Sequence, residues 1–324
     1  MLRIVYTPKY DLPAHHFARH LHPFDLRKYS RAYKLLRSVV GPRIKPLTIA
    51  PPRQITRDEL LLVHTAEYLD KLRTPAYLSA TVEVPLVGKL PAWLTDFAVL
   101  RPMRWATMGT VVAARESLHH GLAINLSGGY HHAKPDAGEG FCFYNDIALA
   151  VTMLRREGLL AETDRVAYID LDAHQGNGVS HAFLDDPRVF LFDAYNEFIY
   201  PAYDRVAHDR IDCNLPLPAG CRDDVYLGHL HAKLPGFLDS IAREARVALA
   251  LYNAGTDVYE GDALGGLAVS EPGILERDMF IIEQLRSRNI PTVMLLSGGY
   301  SEESHRLVAN SVRAMIERHA PHIR

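Results

Sequence analysis

Short apolar runs alternate along this chain with longer stretches whose apolar positions recur at helical spacing. The runs at 2–6, 123–126, 166–171, 189–192, 247–252 and 292–296 have strand length. Most are apolar at successive positions, as strands covered on both faces require. Helical spacing marks 24–40, 103–119, 143–157, 223–243, 274–288 and 302–318. Thr56 is the predicted N-cap of a further helix through about residue 72, with Asp58 and Glu59 in its first turn. Gly158 suits the end of the helix that precedes it. Apolar strands alternating with helices predict an α/β fold with a mainly parallel central sheet flanked by helices. No Pro/Gly/Ser-rich linker divides the chain, so residues 1–324 read as one domain. In open α/β sheets, ligands bind beyond the carboxyl ends of the strands. The chemistry is therefore expected in the loops that follow the apolar runs.

Composition narrows the class. The chain has 324 residues, with 36 Lys plus Arg against 38 Asp plus Glu. A net charge of −2 lacks the basic field that broad nucleic-acid binding needs. At 48% hydrophobic and 23% charged, the chain matches a globular protein and not a disordered one. Three Cys cannot make a disulfide framework, and a reducing compartment fits them. The N-terminal MLRIVYTPKY lacks the apolar core of a secretory signal. No apolar stretch approaches the ~20 residues that span a bilayer. These features predict a soluble, cytoplasmic protein.

The 17 His are the unusual figure, and their placement matters more than their number. After 123–126 comes SGGYHHA, with Gly128, Gly129, His131 and His132. After 166–169 comes DLDAHQGNG, with Asp170, Asp172, His174 and Asn177. After 247–252 comes NAGTDVYEGDALGG, with Asp257 and Asp262, and after 292–296 comes SGGY, ending at Tyr300. All four loops can meet at one edge of one sheet.

Asp172 and His174 are two apart, so on an extended segment both side chains face one side. With a third ligand from another strand they leave an open position, the arrangement of a catalytic metal site. Asp257 is the natural third ligand, because Ala254 and Gly255 before it allow close backbone approach. Two carboxylates and one imidazole suit Zn²⁺ and also Fe²⁺, Co²⁺ or Mn²⁺. A lone Asp or His after a strand is ordinarily a cap or turn residue; it is the combination that points to function. Asp170 suits a buried carboxylate that orients an imidazole.

In this order, GGYHHA, GFCFYND at 140–146, DLDAHQGNG, AGTDVYEGDALGG and SGGY resemble the zinc-dependent histone deacetylase superfamily. That group includes acetylpolyamine amidohydrolases and acetoin-utilisation proteins and shares a three-layer arginase-like α/β fold. The resemblance runs from YTPKY near the start to SGGYSEES near the end. LHPFD at 21–25, DAHQGNG, DAYNEFIYP at 193–201 and YNAGTD at 252–257 are similar to class IV, the histone deacetylase 11 type; bacterial-type deacetylases and amidohydrolases share the pattern. The resemblance implies Asp172, His174 and Asp257 as metal ligands. It implies His132 as general base and later acid, His131 as its partner, and Asp170 as the carboxylate orienting that partner. Tyr300 is implied as the hydroxyl that polarises the acyl carbonyl. Phe141 and Tyr200 are implied as tunnel walls, Gly140 as a backbone position meeting the substrate amide, and Leu264 as an apolar rim residue. A structural monovalent cation, usually potassium, is implied near Asp170, Asp172, His174 and Asp193. Asn177 departs from the commoner Asp that pairs the second His, and an amide supplies no negative charge, which lowers the expected pKa of His132. Ser297 replaces part of a longer glycine run.

The resulting expectation is a zinc-dependent deacetylase or deacylase that hydrolyses acetyl or longer acyl amides of lysine by metal-activated water. One alternative is a small-molecule amidohydrolase acting on acetylpolyamines or similar N-acyl amines, with Glu83, Asp96 and Glu197 as candidate acidic groups. A second is an arginase-like hydrolase with two manganese ions. A third is a catalytically silent binding module. The apolar stretch 85–101, with Leu90, Trp93, Leu94, Phe97 and Leu100, either lines a site for a long acyl chain or packs a loop. His15, His16, His20 and His22 read as surface or loop histidines. His119 and His120 suit the negative end of a helix dipole. Cys142 reads as a buried structural thiol. Composition and motifs leave the oligomeric state open.

Overall fold

The computed structural model describes residues 2–13, 25, 27–201 and 204–320. The histidines at 15, 16, 20 and 22, most of LHPFD and the first turn expected from residue 24 lie outside these. The strands are β1 (Leu2–Val5), β2 (Thr48–Ile49), β3 (Leu122–Asn125) and β4 (Arg165–Asp170). They continue with β5 (Val189–Asn196), β6 (Cys213–Leu217), β7 (Val247–Asn253) and β8 (Thr292–Leu295). They form one sheet in the order β2-β1-β3-β8-β7-β4-β5-β6, every neighbouring pair parallel. All residues of β3, β7 and β8 are buried, as their unbroken apolar runs require.

The six longer helices are α1 (Lys28–Val40), α2 (Arg101–His120), α3 (Asp146–Arg156), α4 (Asp223–Ile241), α5 (Glu271–Ser287) and α6 (Ser304–His319). Their ends follow local chemistry. Gly121, at φ +81°, closes α2, and the Asn145 side chain caps α3 by accepting from Ala148 N at 2.9 Å. The helix α2 lies against β1, β3 and β8, and α4 lies against β5 and β6.

Three sequence expectations change. The single helix expected over 56–72 is two short ones, Arg57–Leu60 and Ala66–Lys71. Thr56 does cap the first, in a reciprocal arrangement with Glu59. Thr65 caps the second, and its own N–H leaves the helix to donate to Pro135 O at 2.9 Å. The strand expected over 189–192 runs on to Asn196, because the polar groups that interrupt its apolar run are buried and bonded: Asp193 Oδ2 accepts from Gly176 N, and Asn196 Nδ2 donates to Gly265 O. The edge strand β6 was absent from the apolar pattern. It is short, contains Pro216 and alternates in burial, which is the form an edge strand tolerates.

The stretch 85–101 divides into exposed and buried positions. Trp93 and Phe97 stand on the outer face of the turns that lead into α2, Trp93 with 71% of its surface exposed. Leu100 instead joins a cleft with Ile55, Leu60, Leu69 and Leu72.

His64 ties this outer layer to the site loops. Asn145 N donates to its Nε2 at 3.0 Å, and its Nδ1 lies 3.1 Å from Lys134 O, so the ring is neutral. Burial lowers its pKa from 6.5 to about 4. Between those values the unfolded chain binds a proton that the folded chain refuses, so stability falls as pH falls. The full effect is on the order of 3 kcal/mol. Thermal melting at pH 7 and pH 5 should therefore show a steeper loss for the wild type than for His64→Gln. Equal losses would contradict the assignment.

Candidate metal centre

The four loops expected to carry chemistry follow β3, β8, β7 and β4, which are the four adjacent central strands of the sheet. That adjacency is why residues distant in sequence meet. The loop after β4 supplies Asp172 and His174, and the loop after β7 supplies Asp257. Ligand atoms of these three buried residues all lie within 4.8 Å of one another. His174 Nδ1 is 3.1 Å from Asp172 Oδ1 and 3.0 Å from Asp257 Oδ2. Ligands at ~2.0 Å around a tetrahedral ion stand about 3.3 Å apart, so the donor set fits one divalent ion. Gly255 makes room: a Cβ there would sit 2.4 Å from Asp172 Oδ2. The remaining carboxylate oxygens are held. Asp172 Oδ2 accepts from Ser297 Oγ and Gly298 N, both at 2.8 Å, and Asp257 Oδ1 accepts from Ala173 N at 2.9 Å.

The electrostatics ask for a cation. Burial, then the Asp172 carboxylate, push the Asp257 carboxyl up to about 7. Burial lowers the His174 pKa, but Asp172 and Asp257 outweigh it and hold the ring up to about 10. Two buried carboxylates facing one imidazole need positive charge among them.

Beside this cluster stand His131 and His132, their rings 4.0 Å apart. Their environments differ. His131 Nδ1 is 2.8 Å from Asp170 Oδ2, which also accepts from Tyr168 Oη at 2.6 Å. Burial opposes charge on His131, yet Asp170 and Asp172 raise its pKa to about 9. His132 Nδ1 is 2.7 Å from Asn177 Oδ1, a neutral partner. Burial, His131 and His174 hold His132 well below its usual value. The surroundings therefore favour charge on His131 and disfavour it on His132. The expected Asp170–His131 and Asn177–His132 pairings are both present.

Two of the other expected residues, Gly140 and Tyr200, stand against His132, and Tyr300 stands by His174 with Phe141 beside it. Gly140 packs its backbone on the imidazole at φ +49°; a Cβ there would lie 2.4 Å from His132 Cδ2, so only glycine fits. The Phe141 ring is 6.2 Å from Tyr300, and Tyr300 is 6.1 Å from His174. Tyr200 meets His132 edge-on at 5.0 Å and is 44% exposed. Burial, with Asp172 and Asp257 nearby, holds the Tyr300 hydroxyl well above 10, so it stays a donor. Leu264 is partly exposed. Asp193 lies in register with Asp170 on the adjacent strand, and its buried Oδ1 has no hydrogen-bond partner, which suits a further cation. Cys142 is buried, as expected, and its thiol is pushed up by that burial.

Two residues of the site carried no assigned role in the sequence. Lys28 is fully buried at the start of α1 and donates to Ser297 O at 2.9 Å and Gly298 O at 2.6 Å, holding the loop before Tyr300. Nothing in a helix-spaced stretch marks one lysine as buried. Asp262 accepts from four backbone N–H groups, those of Tyr300, Ser301, Leu264 and Gly265. It joins the loop of Tyr300 to that of Leu264; an Asp inside GDALGG is a turn signal, and only the fold shows what it turns towards.

A family model described as "Histone deacetylase domain" matches residues 22–316. Histone deacetylase 2 of Arabidopsis thaliana is 38% identical over 309 residues, covering 95% of this chain and 77% of the relative. An uncharacterized protein of Picosynechococcus sp. is 33% identical over 305 residues, covering 94% of each. Among solved structures, an HDAC homologue complexed with SAHA superposes with a TM-score of 0.74 at 25% identity, over 98% of this chain and 84% of the other.

The geometry sets a metal stoichiometry. Elemental analysis of purified protein is expected to find about one divalent ion per chain, lowered at least about tenfold in Asp257→Ala. About two ions per chain, or full retention in the variant, would contradict it.

Proposed function

The chain belongs to the histone deacetylase family and has its hydrolase fold, and from that premise we propose that it is a metal-dependent deacylase of acylated lysine side chains. We read it as a class IV-like or bacterial-type member, cytoplasmic, with residues 1–324 forming one catalytic domain. The unpaired state of all three cysteines agrees with a reducing compartment. No helix among the described residues is long and apolar enough to cross a membrane.

The observation that carries this reading is the pair of unlike histidines beside the Asp–His–Asp cluster. A divalent ion held by Asp172, His174 and Asp257, which we take to be zinc, supplies Lewis acidity and a water acidified from 15.7 towards ~7. The rest is done by side chains. His132, uncharged and with Nδ1–H turned to Asn177, offers the Nε2 lone pair to the attacking water and takes its proton. The cationic His131 stabilises the negative charge that develops on the substrate, and Asp170 holds that ring in place. The Tyr300 hydroxyl donates to the acyl oxygen as charge gathers there. The proton on His132 Nε2 then passes to the leaving amine, releasing carboxylate and free lysine. Gly140, Phe141, Tyr200 and Leu264 are the tunnel and rim that hold a neutral acyl-lysine. Asp193, with Asp170, Asp172 and His174, is the site for a structural potassium ion.

Small cationic amines are the second reading. A polyamine needs free carboxylates at the entrance. Of the three candidates, Asp96 is engaged by Arg104, whereas Glu83 and Glu197 are exposed, so the substrate assay below decides between the two readings. A second metal is unsupported: among the described residues, Asp172, His174 and Asp257 form the one cluster of this kind.

Turnover of acetyl-, longer acyl- and formyl-lysine peptides beside acetylated polyamines tests the assignment. We expect a lysine peptide to be preferred, and Tyr300→Phe to lower kcat about 100-fold at unchanged metal content. Faster turnover of the polyamines, or a near-wild-type Tyr300→Phe, would contradict it.

A further inference from the structure

The amide of Asn177 is held from both ends. Its Oδ1 faces His132 Nδ1 at 2.7 Å. Its Nδ2 donates to Glu139 Oε2 at 3.2 Å and to Asp204 Oδ2 at 3.4 Å. Glu139 Oε2 also accepts from the Tyr200 hydroxyl at 2.6 Å. Lys134 Nζ bridges the two carboxylates, 3.1 Å from Glu139 Oε1 and 3.0 Å from Asp204 Oδ2. His181 Nε2 lies 3.0 Å from Asp204 on its other side.

An amide is an ambiguous neighbour for a catalytic histidine. Turned over, it would present Nδ2 to the ring in place of Oδ1 and would favour the opposite tautomer. A carboxylate has no such ambiguity, since it only accepts. Glu139 and Asp204 on one side of Asn177 therefore require Nδ2 to face them and Oδ1 to face His132. An acceptor at Nδ1 in turn requires the proton on Nδ1, which leaves the lone pair on Nε2. We propose that Glu139 is a positioning residue for the base. It fixes the Asn177 amide and, through it, the His132 tautomer that can take a proton. The same carboxylate oxygen anchors Tyr200, whose ring stands edge-on to the imidazole. Glu139 makes the nearer contact with Asn177; Asp204 is the weaker support, and its other oxygen accepts from Ala207 N at the start of Arg205–Arg210. Lys134 offsets one of the two negative charges and holds both carboxylates in place.

The proposal rests on reading His132 as the base, and three variants separate the two claims. Kinetics are measured on whichever acyl amide the wild type turns over fastest, with metal content on the same samples. In Glu139→Gln, the new amide can turn either end to Asn177, so the nearer constraint is lost at constant size and only the longer contact with Asp204 remains. We expect kcat to fall about tenfold with KM and metal content unchanged. Adding Asn177→Asp should restore kcat to within about threefold of the wild type, because an aspartate accepts from Nδ1 in either rotation. A structural role for Glu139 would not be rescued in this way. A wild-type kcat in Glu139→Gln, or a double variant no faster than that single one, overturns the proposal. His132→Ala is the reference: if it keeps turnover, the base is misassigned and the relay falls with it. If it is inactive while Glu139→Gln is unimpaired, only the relay fails.

Discussion

Two buried carboxylates that share one imidazole are the constraint on which the rest of this molecule depends. Asp172 and Asp257 are both fully buried and both within about hydrogen-bond reach of His174 Nδ1. Such a group is costly in a protein interior unless positive charge sits within it. The surrounding structure answers that need. Backbone amides and Ser297 satisfy the outward oxygens, glycines bring the loops within reach, and Lys28 lies buried behind the Ser297–Gly298 turn.

The fold makes this possible because β3, β8, β7 and β4 are neighbours although their order in the chain is different. Each ends at the same edge, so four loops share one site without any long excursion. The paired histidines then divide the work. Against its burial, Asp170 and Asp172 favour charge on His131, while burial, His131 and His174 disfavour it on His132. That separation of two adjacent, chemically identical side chains comes from burial, from the carboxylates beside His131, and from the repulsion of His132 by its two histidine neighbours. The Asp172–His174–Asp257 cluster and Tyr300 lie on one side of this pair, and the contacts from Asn177 to Glu139 lie on the other.

Much of this was legible in the chain. The central strands were visible because burial on both faces leaves them apolar throughout. The buried Asp172–His174–Asp257 cluster was foreshadowed because Asp172 and His174 stand two apart at the end of such a strand. What escaped shares a physical cause: each depends on tertiary contacts that leave no periodic trace. Lys28 lies on the buried face of α1, where helical spacing gives no sign of a buried cation. The break at 61–65 arises because Thr65 bonds to the distant Pro135. The far half of β5 is polar in sequence but paired in space. Glu139 looks like an ordinary loop residue until the fold sets it against Asn177 and Tyr200.

The central claim is that one divalent ion at Asp172, His174 and Asp257 meets the acyl group between His132 and Tyr300. Anomalous diffraction at the metal edge, on crystals of Tyr300→Phe soaked with an acyl-lysine peptide, tests it most directly. The account expects one anomalous peak bounded by those three ligands, with the acyl oxygen turned towards position 300 and the His132 Nε2 facing the acyl carbon. A peak outside that triad, a second peak of equal height beside it, or an acyl group bound away from His132 would contradict it.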